Sequence, residues 1–564
     1  MIKHSIASLL FCFLFFGTQA QTPPKEGYRS PLDIPLVLAA NFGELRANHF
    51  HMGLDFKTNG RVGLSLFAIE EGYVSRVKVS PYGYGKVVYI DHPNGITSVY
   101  AHCSGFVGKL DSLVKATQEA EQNYEVEIFP KKDELKVRKG ERFALSGNTG
   151  SSTAPHLHFE IRDTKTEAAL NPLIFGFDIA DSKAPEIRGL KVYAISKDGY
   201  RYPGKEKQVF ARRVSEGTYS LASNQLVIPS NYSSATGGIG FAFDVIDRLD
   251  GAPNACGLYK SILLVDGDTI FGQKIDKVPF ESTRYINCHT DYDAFSNFGK
   301  HYHKSFKTTE NDLPIYPIAG NGILSVNPGD VKQITYISYD AKGNKSTLSF
   351  ELKVESGAMN TAEMSNVDLS YLQPSQTMRM SNDQRVVEFG IGTVYEPLKM
   401  KESALNTQIG EPDEPVHNAY RIKVKASGSP TGKEYFKIKT QKNRTRTVKA
   451  QYADGWFYGD SKYFGTYTLE KDVQAPSLSA INITSSTTFV SKNQLLWKVN
   501  ERETNLADYD IFIDGKWYVL EYETKGDLLI FDRPEGFTGT KLVRVEVVDD
   551  HGNKNQWEQE ITFK

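Results

Sequence analysis

The chain has 564 residues, a formal net charge of −2, 40% hydrophobic and 24% charged side chains. That length holds about three or four domains, the composition is that of an ordinary globular protein, and the balanced charge excludes a general electrostatic pull toward nucleic acid or anionic membrane. Thirty tyrosines and 32 phenylalanines, set among short Val/Ile/Tyr/Thr runs, predict a mostly β protein.

Residues 1–20 read as a targeting segment. Lys3 and His4 give a basic start, Leu9 to Phe16 an apolar core, and Thr18-Gln19-Ala20 a small-residue cleavage site. The apolar run is shorter than the roughly 20 residues a membrane span needs, and no later stretch is apolar enough to span. The expectation is an exported chain with no integral membrane segment after cleavage. Three cysteines then remain: Cys103, Cys256 and Cys288. Export permits disulfides. Cys256 and Cys288 are the pair their segments allow, and the sequence leaves that pairing open.

After a lead-in with a short strand over Leu36 to Ala40, the stretch Asn48-His49-Phe50-His51-Met52-Gly53-Leu54-Asp55 sets an imidazole and a carboxylate four residues apart. A borderline-soft divalent metal accepts both. Gly53 and the following Phe56-Lys57-Thr58-Asn59-Gly60 disfavour a helix here, and even spacing keeps His51 and Asp55 on one face of an extended segment. Strands are predicted over Val62 to Ile69, Gly72 to Val79, Lys86 to Asp91 and Ile96 to His102, with Pro93-Asn94-Gly95 as a hairpin turn. His102 ends the last of these. Cys103 beside it should face the opposite side, which argues against a thiol nucleophile. Residues 107–135 interrupt the β pattern with a short amphipathic helix, read as a surface excursion beside the site or as a lid. Strand returns over 136–146. The Gly/Ser/Thr loop Gly147 to Thr153 then leads into Pro155-His156-Leu157-His158-Phe159-Glu160, where His156 and His158 share one face.

A His-x-Gly-x-Asp element, a Tyr-Ala-His element and Gly-Asn-Thr-Gly-x-Ser-Thr-x-Pro-His-Leu-His-Phe-Glu, in this order, resemble the lysostaphin/LytM-type zinc endopeptidases of bacterial cell walls. The resemblance covers roughly residues 40–175 and includes the Gly83-Tyr84-Gly85 turn. Ala154 departs from the usual glycine, and the segment between His102 and the last motif is longer than in the shortest members. The resemblance implies one zinc ion per chain, His51, Asp55 and His158 as ligands, and His102 and His156 as catalytic histidines that act as general base and oxyanion stabiliser. Which of the two does which stays open. Three protein ligands leave a tetrahedral zinc an open position for water. His49 reads as structural, and His301-Tyr302-His303 as a solvated surface pair.

Beyond about residue 180 the texture is short strands and Gly/Asn/Asp turns, with an internal repeat. Asp181-Ser182-Lys183-Ala184-Pro185 recurs as Asp472-Val473-Gln474-Ala475-Pro476, and Val245-Ile246-Asp247-Arg248 loosely as Val499-Asn500-Glu501-Arg502. Leu263 to Gly267 recurs as Ile511 to Gly515, and Asp340 to Lys345 as Asp549 to Lys554. The predicted organisation is a signal peptide over 1–20, a LytM-like antiparallel β-sheet catalytic domain over 21–178, and an immunoglobulin-like β-sandwich module over 179–356 with a long insertion. A β-rich module follows over 360–470 and a second immunoglobulin-like module over 471–564.

The functional expectation is a secreted zinc metalloendopeptidase acting on peptidoglycan stem peptides or cross-links, in the periplasm or cell envelope or outside the cell. Envelope proteins are possible partners of the C-terminal β modules. The alternatives are a catalytically silent wall-binding regulator of an amidase, a secreted peptidase acting on proteins, and a wall-binding or adhesive role for the β modules themselves.

Overall fold

A computed structural model describes residues 27–233, 237–318, 320–359, 371–401, 405–406, 408–483, 489–490 and 493–564. The signal segment expected over 1–20 lies outside them. Strands dominate, and among the described residues no helix is long and apolar enough to cross a membrane.

The N-terminal domain is built on an antiparallel sheet. Its spatial order is Leu38–Ala40, Leu54–Lys57, His156–Asp163, Ile96–Cys103, Lys86–Asp91, Gly72–Val79 and Val126–Ile128. The central Ile96–Cys103 strand is buried along its whole length, as expected of a strand covered on both faces. Leu54–Lys57 alternates: Leu54 and Phe56 are fully buried, Asp55 and Lys57 only partly. The neighbouring Leu157, Phe159 and Ile161 join Leu54 and Phe56 in the core. The period of two therefore sends Asp55, His156, His158 and Glu160 to the opposite face.

The insertion at 107–135 is a helix, Lys109–Glu121, that buries Leu110, Val114 and Gln118 and stops at Gln122 in the left-handed conformation. The chain then returns as the edge strand Val126–Ile128, so the excursion extends the sheet as well as flanking it. The strand predicted over Val62 to Ile69 is shorter, Ser65–Phe67, and belongs to a small second sheet with Arg142–Leu145 and Gly105–Phe106.

Each following segment forms paired sheets around its own core. Residues 186–354 place a four-stranded sheet against a larger one, with the rings of Phe243 and Tyr336 stacked 3.7 Å apart between them. Residues 378–471 pair a five-stranded and a four-stranded sheet, and residues 477–563 do the same around Trp497. The first of these segments does not stand apart from the N-terminal domain. Leu249, Ile275, Val278, Ile286 and Ile315 pack into the N-terminal core, and Lys277–Val278 pairs with Ala169–Leu170.

One expectation is corrected, and one question the sequence left open, the Cys256–Cys288 pairing, is answered. His303 is not a solvated surface residue: it is 1% exposed, lies on the strand Tyr302–Lys304 that pairs with Gly238–Ile246, and its Nδ1 is 2.9 Å from Nε2 of His289. The polar local sequence concealed a position walled in from both sides by tertiary packing. Cys256 and Cys288 are free, buried thiols rather than a disulfide. Cys256 bridges to Asp247 while Cys288 sits in the helix Ile286–His289 of the insertion.

Candidate metal centre

Register brings the site together. His158 pairs with Asp55 on one side and with Ala101 on the other, so side chains from three adjacent strands meet on one face. His51 reaches them from the segment just before, held by its Nδ1 at 2.8 Å from the Asn41 carbonyl. Gly53 is required between His51 and Asp55. A Cβ there would stand 2.5 Å from the Phe159 carbonyl oxygen and 3.0 Å from the His158 ring.

His51 Nε2, Asp55 Oδ1 and His158 Nδ1 form a triangle with edges of 3.1, 2.9 and 3.1 Å. Donor atoms around a tetrahedral zinc stand about 3.3 Å apart when each lies about 2.0 Å from the ion. The donor chemistry also fits: two imidazole nitrogens and a carboxylate oxygen converge on one point. Among the described residues this is one of three groups whose donor atoms lie within 4.8 Å of one another.

The remaining nitrogens of the ligand-type histidines are occupied in the way metal ligands usually are. His158 Nε2 is 2.8 Å from Glu160 Oε1, and Arg162 Nε donates to Glu160 Oε2 at 2.7 Å. The Tyr84 hydroxyl donates to the same carboxylate. Burial works against charge on His158, but the carboxylates of Asp55 and Glu160 outweigh it and raise its pKa to about 9. Burial likewise opposes the charge on Glu160, and Arg162 and His158 overcome it, bringing that carboxyl to about 2. On Asp55 burial is outweighed by His51, His156 and His158, which hold the carboxyl well below its usual range.

His102 and His156 stand on the open side of the triangle, ring centroids 4.8 Å apart. His156 Nε2 is 3.4 Å from Asp55 Oδ1. Each holds a backbone carbonyl with Nδ1: His102 that of Thr149 at 2.9 Å, His156 that of Ala154 at 2.8 Å. A carbonyl only accepts, so Nδ1 is the donor in both rings, and Nε2 is the atom each ring leaves for the site. Burial, then the imidazoles of His158 and His156, push His102 down to about 3.

His102 has φ of 60°, in the left-handed region that few non-glycine residues adopt. The register between Lys86–Asp91 and Ile96–Cys103 shifts at this point, so a bulge re-aims the ring. Cys103 points into the core, where burial raises its thiol to about 12, as the strand alternation predicted. His49 is exposed, and its Nδ1 is engaged with the Ala47 carbonyl at 2.9 Å.

Sequence reasoning singled out all five of these side chains. It did not find Glu160, Arg162 and Tyr84 as a supporting row. The signal was present: Glu160 and Arg162 follow His158 at a period of two on the same strand.

Residues 49–121 match the model of Peptidase family M23. The chain carries a peptidase family M23 domain. The chain is 33% identical over 165 residues to an uncharacterized metalloprotease of Haemophilus influenzae, covering 28% of this chain and 29% of that protein. It is 30% identical over 153 residues to the peptidoglycan DD-endopeptidase ShyA of Vibrio cholerae, covering 26% and 30%. It is 34% identical over 112 residues to the DD-carboxypeptidase/endopeptidase Mpg of Neisseria meningitidis, covering 20% of each. The match thus spans about three tenths or less of the length of these relatives. Among solved structures, the catalytic domain of lysostaphin from Staphylococcus simulans matches at 24% identity and a TM-score of 0.19, covering 25% of this chain and 91% of that one.

Proposed function

We propose that this chain is an exported zinc metalloendopeptidase that hydrolyses peptide bonds in peptidoglycan stem peptides or cross-links. The observation that carries the reading is the triangle of His51 Nε2, Asp55 Oδ1 and His158 Nδ1 with the imidazoles of His102 and His156 beside it. His51, Asp55 and His158 would hold the ion. When bound, zinc supplies Lewis acidity toward water and toward a scissile carbonyl.

The chain's own groups do the rest. The Asn41 carbonyl and Glu160 fix the His51 and His158 rings so that the ligating nitrogens stay aimed. Nε2 of His102 or His156 takes a proton from the attacking water. That imidazole then gives the proton to the leaving amine, while the other, carrying a proton taken from solvent, donates a hydrogen bond to the oxygen that gains charge at the scissile carbon and keeps that proton as the carbonyl re-forms. Substrate class is supported by the printed activities of the relatives from Vibrio cholerae and Neisseria meningitidis. Export is supported by the apolar segment of residues 1–20. The β modules over 179–356, 360–470 and 471–564 are read as spacers or docking units on the wall.

Hydrolysis of purified peptidoglycan by the mature chain tests this, alongside the same chain with chelator and His158→Ala. New free amino groups in the wild type only, restored to the chelated protein by zinc, are expected, and fragment masses name the bond. A wild type that binds zinc yet releases nothing from several wall types would overturn the reading.

A further inference from the structure

The internal repeat converges on carboxylates that the peptidase site does not use. Asp181 lies in the linker that leaves the M23 domain. Asp247 follows the strand Gly238–Ile246, and Asp340 follows the strand Val331–Tyr339. Those two strands belong to different sheets of the first β module. Folding nevertheless brings one oxygen of each acid within 4.8 Å of the others.

The site is built, and its charge is left over. Asp340 Oδ1 accepts from the backbone N–H groups of Lys342 and Asn344, at 2.9 and 2.8 Å. Asn344 Nδ2 donates to the Asp181 carbonyl and to Asp340 Oδ2, at 3.1 and 2.6 Å. Asp247 is 2% exposed, and its Oδ1 is buried with no hydrogen-bond partner. Among the described residues no lysine or arginine forms an ion pair with Asp181, Asp247 or Asp340. The nearby Lys183 turns instead to Asp250 and the Leu249 carbonyl. A buried carboxylate oxygen without a donor, among two more carboxylates, is costly unless a cation completes it. Burial and the neighbouring acids accordingly push Asp247 well above the usual carboxylate range.

The second module repeats the arrangement with Asp472, Glu501 and Asp549. Asn553 takes the part of Asn344, donating to the Asp472 carbonyl at 3.2 Å and to Asp549 Oδ2 at 2.7 Å. Asp549 Oδ1 accepts from the N–H groups of His551 and Asn553, at 2.9 and 2.8 Å. Two segments more than 200 residues apart thus keep an acid at each of the three positions, with Glu501 in the place of Asp247 and partnered there by the N–H groups of Glu503 and Thr504.

We propose that Asp181, Asp247 and Asp340 bind a divalent cation of the calcium type, which ties the linker after the peptidase domain to both sheets of the first β module. The donors are all oxygens, without histidine or cysteine, as a hard cation requires. Carboxylates with a backbone carbonyl beside them suit calcium's flexible coordination better than magnesium, which retains several waters in a strict octahedron.

The test uses the full mature chain, with zinc supplied at equal level throughout, in wild-type and Asp247→Asn forms. Equilibrium dialysis against radioactive calcium chloride up to about 10 mM covers the range of extracellular calcium modules. The wild type is expected to bind one equivalent more than Asp247→Asn, and calcium is expected to raise the wild-type Tm by on the order of 5 °C. In calcium-free buffer Asp247→Asn should melt no lower than the wild type, because it removes a repelling charge without changing shape. Asp340→Asn provides the same comparison if the first variant folds poorly. Equal calcium stoichiometry in wild type and variants would overturn the proposal. So would a calcium-free variant less stable than a wild type that takes up no calcium, which would mean that the acids hold only a shared proton.

Discussion

At the scale of single residues, the proposed function assigns His51, Asp55 and His158 to holding a metal and His102 and His156 to handling protons. His51 and His158 each spend one nitrogen on a fixed partner, Asn41 O or Glu160, and turn the other toward Asp55. His102 and His156 each spend Nδ1 on a loop carbonyl, and His156 turns Nε2 toward Asp55 from 3.4 Å. The two pairs should therefore respond differently to truncation. His102→Ala and His156→Ala are expected to retain zinc at wild-type stoichiometry while losing about 10²–10⁴-fold in hydrolysis rate. Metal analysis paired with a free-amine assay reads both quantities on one sample. Zinc loss in either variant would place that histidine among the ligands instead. Glu160→Gln lies between these cases. It keeps a hydrogen-bonding partner near His158 but leaves Arg162 as a buried cation without its carboxylate. We expect zinc affinity to fall about 10–100-fold and the domain to lose on the order of 3 kcal/mol, measured by competition with a zinc chelator and by denaturant melts.

At the scale of elements, two glycine contacts hold the strands at the spacing the site needs. Gly53 admits the Phe159 carbonyl. Gly85, with φ of 66°, admits Thr149, whose Oγ1 would otherwise lie 2.3 Å from a Cβ. Thr149 in turn holds His102. Gly53→Ala should force the His51–Asp55 segment away from the His156–Asp163 strand. The expected result is a destabilisation of about 1–3 kcal/mol, with reduced zinc occupancy, in thermal melts and metal analysis. An Ala variant that melts and binds zinc like the wild type would show that the strands have slack.

These elements also mark what the sequence made legible. Short β-branched and aromatic runs bounded by the Gly83-Tyr84-Gly85 and Pro93-Asn94-Gly95 turns placed Gly72–Val79 and Lys86–Asp91 at their observed bounds. Side-chain period two put His156 and His158 on one face. What local pattern does not encode is where a strand bends or what another segment covers. The bulge that turns His102 toward His156 and His158 depends on the register with Lys86–Asp91. The burial of His303 depends on the distant strand Gly238–Ile246, and the core shared by Ile275 and Ile315 with the N-terminal domain depends on a docking that no periodicity announces.

At the scale of the whole molecule, the C-terminal module rests on the rim of the metal centre. Glu521 Oε2 is 2.7 Å from Lys86 Nζ, and the Lys525 ammonium donates to the Asn148 carbonyl, one residue from Thr149. The rings of Tyr522 and Tyr82 meet edge to face at 6.4 Å, and those of Tyr509 and Tyr124 lie 6.3 Å apart. His51, His102 and His158 are all buried. A polymeric wall strand needs far more room at such a rim than a short peptide does, so the contact should act on the two substrates unequally. The Glu521→Lys, Lys525→Glu double variant sets like charge against Lys86 and removes the hydrogen bond to Asn148 without touching any of the five central side chains. Its hydrolysis of intact peptidoglycan is expected to rise several-fold, on the scale of the roughly 1 kcal/mol that partly exposed ion pairs contribute, with cleavage of a short soluble stem peptide and zinc content unchanged. Raised salt, which screens the same pair, should move the wild type in the same direction. Equal gains on polymer and short peptide would locate the effect in the chemistry of the site. No gain on either would mean that the rim contact orients the modules without limiting access.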